Sequence, residues 1–158
     1  MTTTVQPGLL SQPLTQGTAV ATTSGTSVDF TGIPSWAKRI TVMFNGVSTS
    51  GSANPIVQLG SGTPQTTGYS SSAGAQSSTA GFVIFGTTNT DVRVGVMTIV
   101  NVSGNIWVES GAAHSGAGQG TAHCGLVTLS GVLDRIRLTT TNGTDTFDAG
   151  SVNILYEG

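Results

Sequence analysis

The sequence predicts an all-β domain, a jelly-roll-like antiparallel β-sandwich with an extended N-terminal arm, and three observations carry that reading. Ser, Thr and Gly supply 18, 26 and 23 of the 158 residues, types that favour strands and turns over helices. Only 8% of the residues are charged, against about 25% in an average domain, and a solvated helical face needs Glu, Lys and Arg. The apolar 37% is gathered in short β-branched runs, enough to bury a core and to exclude a chain disordered throughout. This length suits one domain plus an extension.

Residues 1–24 form the arm. They hold Pro7, Pro13 and many Thr, with Leu9, Leu10 and Leu14 as a small apolar cluster. Such a segment buries too little surface to offset an ordering entropy of roughly 1–2 kcal/mol per residue, so it is expected to lie against a partner. The domain, residues 25–158, is a succession of short extended segments separated by Gly, Asn and Pro turn signals. These are Ser27–Phe30, Arg39–Val47, Ile56–Gly60, Gly81–Phe85, Val92–Val100, Ile106–Ala113, Cys124–Leu129, Leu133–Thr140 and Ser151–Tyr156. In the second, Ile40, Val42 and Phe44 alternate with Thr41, Met43 and Asn45, the period of a half-buried strand. Between Gly60 and Gly81 the Ser/Thr/Gly stretch reads as a long exposed loop, and Gly111–Gly120 as a second loop linking two strands. Eight or nine strands without intervening helices point to a sandwich of jelly-roll type.

Composition also bounds function. A net charge of −2 with five basic residues leaves no Lys/Arg-rich face for displacing counterions from phosphates, so no nucleic-acid partner is expected. Cys124 is the single cysteine, which excludes an intrachain disulfide. The start, MTTTVQPGLLSQP, lacks the basic and apolar regions of a secretion signal. No run reaches the ~20 apolar residues of a membrane-spanning helix, and no membrane insertion is expected.

Catalytic chemistry finds little support. His114 and His123 are the side chains that titrate near neutrality, and no G-x-S-x-G elbow accompanies them. His114, His123 and Cys124 are ligand types without C-x-x-C or H-x-x-x-H spacing. The run Gly116–Gly120 lacks the G-x-G-x-x-G register of a phosphate loop. Asp145 and Asp148, within NGTDTFDAG, suit Asx turns better than a Ca²⁺ loop. Trp36, Trp107, Tyr69 and Tyr156 are aromatics of the kind that stack on sugars, and Trp36, at a turn, and Trp107, within a strand pattern, suit core or interface packing better. No catalytic residue, cofactor or metal is therefore expected.

The block TSGTSVDFTGIPSWAKRITVMFNGVSTS (residues 23–50), with LSGVLDRIRLTTTNGTDTFDAGSVNILYE (residues 129–157), resembles the β-rich domain at the distal ends of bacteriophage and prophage tail fibres, seen also in small decoration-type virion proteins. The resemblance implies a non-enzymatic virion component assembled in the host cytoplasm, commonly a homotrimer, whose partners are itself, other virion proteins in tail or capsid, and a host-surface glycan or protein. Fibre-type members carry the domain after a long shaft, whereas about two dozen residues precede it here. That departure raises the alternative of a capsid decoration (cement) protein. On either reading Leu9, Leu10 and Leu14 are the expected attachment residues. Thr67, Tyr69, Ser71, His114 and Gln119 are the expected outer-surface loop residues.

Overall fold

Strands whose side chains alternate between interior and surface build two packed antiparallel sheets. The structure, a computed structural model, describes residues 14–86, 88–116 and 119–158, with Gln119 by its backbone alone. The strands among them are β1 (Thr15–Gln16), β2 (Val20–Ala21), β3 (Val28–Thr31), β4 (Arg39–Thr49), β5 (Pro55–Ser61), β6 (Thr63–Pro64), β7 (Ser70–Ala73), β8 (Gln76–Ser78), β9 (Phe82–Val83), β10 (Arg93–Ser103), β11 (Ile106–Ser115), β12 (Gln119–Thr128), β13 (Arg135–Thr140) and β14 (Phe147–Glu157). Each of the nine segments expected from the sequence contains a strand.

Among the described residues one sheet runs β1-β14-β4-β10-β11-β12-β7-β8 with β2 also on β14, and the other runs β3-β13-β5-β6 with β9 also on β5. The quartet β2-β14-β4-β10 stacks against β3-β13-β5-β6, and the chain passes between sheets from β2 to β3, β4 and β5. This is jelly-roll order. The hairpin β11–β12 and the β7–β8 pair widen the first sheet beyond that frame. Between the sheets lie Ile40, Val42, Phe44, Met97, Ile99, Ile136, Leu138 and Phe147, all buried. Gly46 (φ 71) and Gly150 (φ 89) sit where β4 and β14 slip register, and their backbones approach too closely for a Cβ on Gly150.

From Leu14 onward the arm follows the edge of β14. Thr15 pairs with Tyr156 and Ala21 with Ser151, the Gly17 N–H donates to the Ile154 carbonyl at 2.8 Å, and Thr22 Oγ1 donates to the Ala149 carbonyl at 2.7 Å. Leu9 and Leu10 lie outside the described residues.

Two expected loops are corrected. The span 60–81 carries β6, β7 and β8, because Ser71 and Ala73 point inward between exposed Ser70 and Ser72. This is a period of two written in side chains too small to register as hydropathy. The span 111–120 belongs mostly to the β11–β12 hairpin, where Ser115 pairs with Gln119 and His114 with Gly120. There Ala113 and Ser115 face in while Ala112 and His114 face out.

Candidate interaction surface

The sandwich has two outer faces of opposite character. On the five-stranded sheet, Asp29 of β3 receives Arg137 of β13 in a bidentate pair, both bonds 2.7 Å, and the guanidinium holds its carboxyl below the usual range. Beside it Asp134 is held low by Arg135 (2.8 Å) and the Gly62 N–H. A polar pocket of about 340 Å³ opens nearby between Gln58, Arg137 and Thr139.

The outer face of the nine-stranded sheet carries almost no charge. Its cross-strand rows follow from the register: Asn153, Met43, Val96, Ala112 and Ala122 in one, and Leu155, Thr41, Thr98, Ser110 and Cys124 in the next. A third row joins Glu157, Arg39, Val100, Val108 and Leu126, with Arg39 and Glu157 ion-paired at its end. Val94 and Val96 are 48% and 47% exposed, and Val100, Val108 and Leu126 are exposed with them. A pocket of about 360 Å³ at the same end is lined by Leu14, Lys38, Arg39, Val100 and Asn101, and Leu14 itself is 63% exposed.

Beneath the β11–β12 end of this face the apolar core also takes in polar groups. Glu109 lies directly opposite Gly125, and His123 opposite Gly111. His123 lies over Gly111 and meets Glu109, Glu109 Oε1 against His123 Nδ1, each with no side-chain exposure. Glu109 Oε2 and His123 Nε2 have no further protein partner. A Cβ on Gly111 would lie 2.5 Å from His123 Cε1, and one on Gly125 2.7 Å from Phe82 Cδ1. The pair braces the hairpin from within, and Glu109 also lines a pocket of about 500 Å³ with Ser70, Ser72, Cys124 and Leu126. Arg93 is also fully buried, donating Nη1 to the Asp91 carbonyl at 2.9 Å. Burial pushes its pKa down against the pull of Asp91 and Asp148.

Of the expected outer-surface residues, Thr67 and His114 are exposed, His114 in the row of Val94 and Asn45. Gln119 opens β12 and not a loop. Tyr69 and Ser71 are corrected to core positions. Tyr69 OH accepts the Leu59 N–H at 2.7 Å and its ring stands edge-on to Phe82 at 5.1 Å, and burial drives its hydroxyl pKa upward. Ser71 Oγ accepts the Val83 N–H at 2.9 Å, tying β9 to β7.

Sequence reasoning did not single out the valine face, although a signal was present. In β10 the apolar residues fall on both parities, Val94, Val96 and Val100 on one and Met97 and Ile99 on the other. Near-continuous apolar strands are those covered on both sides. Around the Asp145 loop, Asn142 Oδ1 accepts the Thr144 and Asp145 N–H groups and Asp145 accepts the Ala53 N–H. Among the described residues no cluster of three His, Cys, Asp or Glu side chains is placed to hold a metal ion. Comparison with protein-family models, curated proteins and solved structures finds no match to this chain.

Proposed function

We propose that this chain is a bacteriophage virion surface protein of tail-fibre or tail-appendage type, without enzymatic activity, self-associated as a homotrimer and held on the particle by its N-terminal arm. One observation carries the reading. A tightly knit jelly roll presents a broad uncharged β-face, which is a surface for packing against protein and not for steering a charged substrate. The sequence resemblance in residues 23–50 and 129–157 supports it independently. The hydroxyl-rich strand ends near Thr67 and the β11–β12 turn are suited to polar, adaptable contact with a host glycan or protein.

The test is incorporation. Particles assembled with the full chain should carry it on the tail, as read by antibody labelling of purified virions. A chain lacking residues 1–13 keeps β1 and β2, and should fold, stay soluble and be left off the particle. Virions without the protein would overturn the proposal. Full occupancy by the truncated chain would overturn attachment through the arm.

A further inference from the structure

The geometry points to the outer face of the nine-stranded sheet as the surface through which this chain binds a second copy of itself, centred on Val96, Val100, Val108 and Leu126. The inference stands on the chemistry of the face and not on the virion reading.

The residue pattern comes first. A β-strand solvated on one side alternates apolar and polar, and β10 does not. Met97 and Ile99 are fully buried in the core, while Val94, Val96 and Val100 on the opposite parity are left in solvent by every described residue of the chain. Such a strand is patterned for cover on both sides, and the cover on one side is missing.

Area is the second point. The register places four outward rows across five strands, β14, β4, β10, β11 and β12. With strands about 4.8 Å apart and outward side chains about 6.7 Å apart along each strand, the face spans about 650 Å² in projection. A stable interface takes about 800 Å² of accessible surface from each partner, and a corrugated face exposes more than its projection.

Self-complementarity is the third. The charged groups on these rows are Arg39 and Glu157, which already pair with each other. A second copy laid on the face therefore brings no uncompensated charge. The small side chains of Ala112 and Ala122 let two sheets come to the ~10 Å spacing of a sandwich. A nucleic acid, an acidic peptide or an anionic lipid surface would find no basic patch here.

The test is sedimentation velocity of the full chain at micromolar concentration, with Cys124 as an internal reporter because it is exposed within this face. The wild type should sediment as a dimer or trimer and react slowly with a maleimide. Val108→Asp and, separately, Thr98→Lys put a charge at already solvent-accessible positions. Each should weaken association about 30-fold or more and speed Cys124 labelling to the monomer rate, with an unchanged far-ultraviolet spectrum. Thr31→Lys, on the other sheet, should change neither. A monomeric wild type overturns the inference. So does association that neither variant weakens, which puts the contact elsewhere. A full chain that is monomeric but associates once residues 1–13 are removed also overturns it, by assigning the face to the chain's own arm. Monomer in solution would remove the homotrimer from the proposed function and leave its virion location standing, since that is read from particles.

Discussion

The jelly-roll frame and the hairpin end that widens it are held together by different physics. Around β4, β13 and β14 the interior is Ile40, Val42, Phe44, Leu138 and Phe147, all buried and apolar, and stability comes from surface removed from water. Under β11, β12 and β7 the apolar core continues through Trp107, Val127 and Phe82, and polar pairings are set into it: Glu109 against His123, and Ser71 on the Val83 amide, with glycines where side chains would collide. There stability depends also on polar groups finding each other in a closed space. The frame should tolerate changes that conserve apolar volume, and the hairpin end changes that conserve pairing.

The largest expected effect breaks the frame. Phe44→Asp buries an unpaired carboxylate at several kcal/mol, a large part of the 5–15 kcal/mol that holds a domain folded. The variant should yield no soluble folded protein, and a normal melt would put Phe44 on the solvent side.

Next comes the hairpin end. His123→Ala strands the Glu109 carboxylate and should cost about 3–5 kcal/mol, while the double change Glu109→Leu with His123→Leu should recover most of that loss. Chemical denaturation of both variants checks the pairing. Equal losses would mean the two side chains act through shape alone. Gly125→Ala, whose Cβ meets Phe82 at 2.7 Å, should cost about 1–3 kcal/mol, near 2–4 °C in Tm for each kcal/mol. Tyr69→Phe leaves the Leu59 amide without its side-chain acceptor and should cost about 1–3 kcal/mol.

The frame and the near half of the hairpin, Ile106–Ala113 with Cys124–Leu129, were legible, and the far end of the hairpin with β7 and β8 was not, for the same reason. Strands such as Ile40–Phe44 write their period in large apolar side chains, and every expected segment of that kind holds a strand. In Ser70–Ala73 and Gly111–Ser115 the inward residues are Ser71, Ala73, Gly111, Ala113 and Ser115, too small or polar to stand out. The Glu109–His123 pair depends on register across a hairpin, with each partner placed opposite a glycine. No spacing along one strand encodes that. The short pairing of β1 and β2 with β14 was hidden because an edge strand needs backbone partners more than a side-chain period.

The smallest effect sharpens the contrast from outside. Arg137 holds the Asp29 carboxyl below its ordinary 3.8, so Asp29 is charged and stabilising above that value. Its contribution is lost as pH falls through the depressed folded value. Both groups are partly exposed, which limits the effect to under about 1 kcal/mol. Asp29→Asn should therefore lower Tm slightly at pH 6, with the difference from wild type shrinking as pH falls below 3.8 and Asp29 takes up its proton. A constant difference across that range would remove the ion pair as its cause.

The broad, nearly uncharged outer face runs across frame and hairpin end alike, from β14 to β12, and the proposed place of that surface is on a virion. The most direct measurement is the copy number of this chain per purified particle, taken by quantitative gel densitometry against the major capsid protein. A small number fixed by tail symmetry is the result expected of a tail appendage. A number comparable with the capsid subunits would contradict it and make the chain a decoration protein of the head.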